Sequence, residues 1–153
     1  MEKVVFSRDT FVDCPEAETE KGYQQFLKFA FQYADGFTLC YQKLGTGNEK
    51  LKWSEFQNSR WGYLADGVYD HECTSECPVT IGPQVLLLYF RFDDVTRKFL
   101  KERKNVYDFE GYDFLTLWDL AFLKEGKIFF ISCTHEGFCS IDEDVLTKFR
   151  QVK

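Results

Sequence analysis

The chain has 153 residues, 44% of them hydrophobic and 18% aromatic, with 25 acidic against 19 basic residues for a formal net charge of -6. That length buries a substantial core without needing metals or disulfides, and the apolar content excludes a disordered chain. The acidic balance argues against a broad phosphate-binding face, so the natural complement is a basic protein partner rather than a nucleic acid.

No Pro, Gly or Ser-rich linker, internal repeat or low-complexity tract interrupts the sequence, which reads as one domain over residues 1–153. The start, MEKVVFSRDTF, has no apolar run of signal-peptide length, and no stretch approaches a membrane span. The expectation is a cytoplasmic protein without membrane contact. Its six cysteines then serve as thiols, metal ligands or redox groups rather than as structural disulfides.

In chain order, Val4 to Phe6 begins a short strand and Arg8 to Pro15 is a connector. From Glu16 the period is helical, with Tyr23, Phe26, Leu27, Ala30, Phe31 and Ala34 at spacings of three and four, ended by Asp35 and Gly36. Phe37 to Leu44 is β-like. Gly45, Gly47 and Lys50 follow in a turn that lacks both the third Gly of a dinucleotide fingerprint and the Gly-Lys-Ser/Thr ending of a P-loop. Leu51 to Arg60 fits a short amphipathic helix, and Trp61 to Pro83, without a sustained period, an irregular excursion.

Val85 to Phe92 is the strongest strand, its apolar run predicting cover on both faces. Asp93 caps a helix running to about Arg103, whose Arg97, Lys98, Lys101, Arg103 and Lys104 form a wet face. Asn105 to Thr116 is irregular. Leu117 to Leu123 and Lys127 to Cys133 form a hairpin about Glu125 and Gly126. A last helix opens at Asp142, Glu143 and Asp144, turns Val145, Leu146 and Phe149 inward, and ends among Lys148, Arg150 and Lys153. Elements in this order fit an α+β fold, an antiparallel or mixed sheet with helices packed on one face in a single pair of layers.

Two short segments concentrate the metal-ligating residue types. HECTSEC holds His71, Cys73 and Cys77, and CTHEGFC holds Cys133, His135 and Cys139; these are the chain's only two histidines. In an extended strand, residues i and i+2 share a face, so each segment offers one His and one Cys together. Tetrahedral zinc accepts that combination, giving a candidate site of His71, Cys73, Cys133 and His135, with Cys77 and Cys139 as alternatives. The spacings differ from the common C-x2-C and H-x3-5-H signatures. A thiol paired with His71 or His135 is the basis of an enzymatic reading, which needs a third group to orient the base. Glu72 and Glu136 are adjacent in sequence, but strand neighbours point opposite ways. Asp108, Glu110 and Asp113 form an acidic stretch with nothing to select it as catalytic.

The segments FSRDTF (6–11), YADGFTLCY (33–41), CPVTIGP (77–83) and DLAFLKEGKIFFISCTHEG (119–137) resemble a group of small uncharacterised proteins of spore-forming bacteria, some of which carry a sporulation-linked label. That resemblance brings no catalytic or ligand residue with it. In size, charge and aromatic content the chain is also similar to the small acidic α+β immunity proteins that neutralise bacterial toxins, a likeness at the level of fold. With no catalytic signature in the chain, the leading expectation is a non-enzymatic, cytosolic protein-binding domain, immunity-like or accessory, that uses an acidic and aromatic face. The alternatives are a small zinc-binding Cys/His domain and a Cys/His-dependent enzyme; zinc is the one cofactor these residues bring into question.

Overall fold

The computed structural model describes residues 10–43, 51–76, 81–109, 111–112 and 115–152. The strand expected at Val4 to Phe6 and the turn over Gly45, Gly47 and Lys50 lie outside them. Eight strands and four α-helices follow one another as β1 (Phe11–Asp13), α1 (Glu20–Tyr33), β2 (Gly36–Lys43), α2 (Trp53–Gln57), β3 (Val68–Glu76) and β4 (Ile81–Arg91). They continue as α3 (Asp94–Lys101), β5 (Gly111–Tyr112), β6 (Leu115–Lys124), β7 (Lys127–Cys133), β8 (Phe138–Asp142) and α4 (Glu143–Val152). The strands form one sheet in the order β1-β8-β7-β6-β2-β4-β3, with β5 paired to the start of β6. Every described pairing is antiparallel. The fold is α+β.

Alternation along the strands divides the sheet into two apolar faces. On one side Phe37, Leu39 and Tyr41 of β2, Leu86, Leu88 and Phe90 of β4, and Phe122 and Phe130 join residues from all four helices. Phe26 of α1 stands at the centre of this layer, its ring 4.8 Å from Phe130, 5.3 Å from Phe149 and 5.8 Å from Phe122. Tilted and edge-on pairs of this kind match the aromatic quadrupole. The opposite face carries a smaller buried cluster built from strand residues alone, including Cys40, Val85, Leu87, Tyr89, Ala121 and Ile131. β4 is therefore covered on both sides, as its continuous apolar run predicts.

Local chemistry sets the element ends. The Thr19 hydroxyl accepts from the Gly22 amide at 3.0 Å to cap α1, after a 3-10 turn at Pro15–Glu18. Asp93 and Thr96 exchange hydrogen bonds at 2.7 and 2.9 Å, a reciprocal cap on α3. The basic residues after it lie over aromatic rings: Arg97 over Phe92, Lys101 over Phe31 and Arg103 over Phe99, the last at 4.7 Å from the ring centroid. At the β6–β7 turn, Glu125 and Gly126 both take positive φ, 53° and 77°, the pattern of a type I′ hairpin.

Several expectations need correction. α1 ends at an extended Ala34, and Gly36 is not left-handed. Its small size serves β-pairing, because a Cβ there would stand 2.2 Å from the Phe90 carbonyl oxygen. The stretch from Trp61 to Pro83 is not an irregular excursion: it holds a 3-10 turn at Gly62–Gly67, all of β3 and the start of β4. Among the described residues β3 pairs with β4 alone, and its exposed polar side chains and the bulge between Val68 and Asp70 leave no apolar alternation to mark it. β1 lies in the expected connector, and β5 in the segment read as irregular.

Candidate functional site

The two Cys/His segments occupy distant strands. His71 and Cys73 lie on β3 at the end of the sheet, whereas Cys133 ends β7, with β4, β2 and β6 between them. Four inter-strand steps of about 4.8 Å put roughly 19 Å of sheet between the strands. His71 and Cys73 are opposite Leu88 and Leu86, whose side chains belong to the helix-covered face, so the expected sharing of a face within that pair holds. Its partner pair fails the same test, because β7 stops at Cys133 and His135 sits exposed in the following turn, Thr134 to Gly137. Cys139 is buried on β8 against Cys14, and Cys77 lies outside the described residues. The four-ligand set His71, Cys73, Cys133 and His135 is therefore not assembled. Among the described residues no group of three or more His, Cys, Asp and Glu side chains is placed to hold a metal ion.

The end of β7 has its own construction. Asp119, buried and with φ of 61°, is the extra residue of a bulge where β6 runs beside β2. The Thr134 amide donates to its carboxylate at 2.8 Å, and the Asp119 amide donates to the Thr134 hydroxyl at 3.3 Å, fastening the β7–β8 turn onto β6. Burial pushes the Asp119 carboxyl up to about 6, against the opposing pull of the Thr134 hydrogen bonds. Burial likewise raises the Cys133 thiol, although the amides of Glu136 and His135 favour its thiolate. A nucleophilic cysteine needs the reverse shift. The site is a structural clasp with a titratable carboxyl at its centre. Of the acidic stretch, Asp108 accepts from the Lys104 amide at 2.9 Å and closes a turn, while Glu110 and Asp113 lie outside the described residues.

The surface with most to offer a partner is β3 itself. Among the described residues it pairs on one side only, with β4. Tyr69 is 46% exposed and packs 6.2 Å from Tyr89. The Tyr89 hydroxyl donates to Glu72 at 3.0 Å, which orients that carboxylate beside the strand; burial and then Glu72 itself push the phenol's pKa upward. Asp70 accepts from the His71 amide at 2.8 Å. On the other side the His71 ring lies flat on Trp53 of α2, and Cys73 is exposed. From Asp66 to Glu76 the chain has four acids, Asp66, Asp70, Glu72 and Glu76, and neither Lys nor Arg. The spacing of the sequence singles out His71 and Cys73 here and brings in Glu72 only as a neighbour unable to orient His71, with nothing to mark Tyr69, Asp70 or Trp53. The available signal was the absence of Gly and Pro between Gly67 and Pro78, which leaves room for a nine-residue strand.

Comparison of the chain with protein-family models, curated proteins and solved structures gives no match. No helix among the described residues is long and apolar enough to cross a membrane.

Proposed function

We propose that this protein is a non-enzymatic binding domain that takes up a basic, extended segment of a protein partner along β3. The observation that carries the reading is the character of that strand: nine residues at the end of the sheet, paired with β4 alone among the described residues, in a stretch whose charges are all acidic. Strand addition gains affinity from main-chain hydrogen bonds and specificity from the side chains on either face. Here Asp70 and Glu72 attract Lys and Arg, and Tyr69 offers an amphipathic ring for their aliphatic stems. The likeness to acidic toxin-immunity proteins supports the same role. An exposed Cys73 thiol and buried free cysteines support a cytoplasmic setting.

The test is to retain partners on the immobilised chain, elute them with rising salt, and map the contact by hydrogen exchange. The proposal expects a saturable basic partner, released by salt, that slows amide exchange over residues 68–76. A complex that leaves those amides unchanged contradicts it, as does the absence of any saturable partner.

A further inference from the structure

Two cysteines outside the proposed binding surface face one another across the first and last paired strands. β1 and β8 run antiparallel with Phe11 opposite Asp142, Val12 opposite Ile141 and Asp13 opposite Ser140. Cys14 directly follows β1, and continuing that register by one residue sets it against Cys139. The contact is direct: the Cys139 thiol donates to the Cys14 carbonyl oxygen at 3.2 Å. Both side chains belong to the same buried cluster, with relative exposures of 1% and 4%. Both are free thiols.

Opposed residues in an antiparallel pair have Cα atoms about 4.5–5.5 Å apart, inside the 4.4–6.8 Å span that a disulfide bridges. We infer that Cys14 and Cys139 form a reversible disulfide site that joins the end of β1 to β8. The chemistry is two-step exchange with a low-molecular-weight disulfide. One protein thiolate attacks RSSR, forming a mixed disulfide and releasing one RSH. The second protein thiolate then displaces the other RS group as RSH, closing the Cys14–Cys139 bond. Two protein thiols are oxidised, one RSSR is reduced to two RSH, and the protein loses two hydrogens.

The surroundings keep this site silent at rest. Burial, with the neighbouring Cys139 second, pushes the Cys14 thiol up to about 12. Burial also raises Cys139 to about 11, although the Tyr107 hydroxyl favours its thiolate. Reaction therefore waits for β1, only three residues long, to lift from β8 and admit the oxidant.

The folded, reduced chain is incubated in glutathione buffers of increasing disulfide fraction until its composition is constant. It is then quenched in acid, alkylated, and digested without reductant. The expected result is a species about 2 Da lighter before alkylation that then takes up two fewer alkyl groups, yields a peptide linking Cys14 to Cys139, and reverts with dithiothreitol. Cys14→Ser and Cys139→Ser each abolish that species, while Cys40→Ser and Cys133→Ser retain it; circular dichroism checks that each variant is folded. If the wild-type chain stays fully reduced at the most oxidising ratio, or if its disulfide joins any other pair, the inference is wrong.

Discussion

The imidazole of His71 lies flat on the indole of Trp53, ring centroids 4.6 Å apart and planes within 3°. This contact joins β3 to the short helix α2. Trp53 also stacks on Phe56, buried in the main core at 5.5 Å. A chain of three rings thus anchors the proposed binding strand. Replacing His71 and Trp53 by Ala, singly and together, is expected to show a coupling of about 0.5–1.5 kcal/mol in urea unfolding. Strictly additive losses would mean that the stack holds nothing in place.

Asp119 links stability to pH. Its folded carboxyl titrates at about 6, above the reference of 3.8, so the folded chain holds this proton more tightly than the unfolded chain. Stability from this group is complete below about pH 4 and is lost as pH rises through about 6, a change on the order of 3 kcal/mol. Asp119→Asn keeps an oxygen for the Thr134 amide and tolerates the left-handed backbone. The variant is expected to have a flatter stability profile between pH 4 and 7 and to exceed the wild type at pH 7. Parallel profiles for the two proteins would remove Asp119 as the cause.

Tyr23 is wholly buried, and its hydroxyl donates to the Leu100 carbonyl at 2.7 Å, tying α1 to the end of α3. Tyr23→Phe leaves that carbonyl without this donor at almost no change in packing. The expected cost is about 1–2 kcal/mol in denaturant unfolding, with an unchanged denaturant slope.

Gly36 tests the contact between β2 and β4. A methyl group there meets the Phe90 carbonyl at 2.2 Å, a main-chain atom that cannot rotate aside. Gly36→Ala is expected to destabilise the chain by about 1–3 kcal/mol despite the better intrinsic propensity of Ala. A neutral or stabilising result would show that the two strands separate easily.

Long or strongly periodic buried elements were legible in the sequence; the exposed strand β3 was not, nor was β8, whose five residues are mostly buried but too few to show a period. α1, β4, α4 and the β6–β7 hairpin each carry their burial as an apolar period or run, so Tyr23, Phe26, Leu88 and Phe130 announce their own environment. β3 has no such signature, because the side chains that line its edge meet water. The Cys and His spacings are local facts, whereas the distance from Cys73 to Cys133 depends on the order β3-β4-β2-β6-β7. That order is decided by how Leu86, Phe37 and Phe122 share one layer, a long-range property that no two-residue spacing encodes.

The most direct test of the β3 surface is the affinity of its basic partner for charge-reversed chains. Asp70→Lys with Glu72→Lys is expected to weaken binding by about tenfold or more at low salt and to flatten its salt dependence, while Glu136→Lys in the β7–β8 turn stays within about twofold of wild type. Equal losses from both changes, or none from the β3 pair, would contradict a binding surface on that strand.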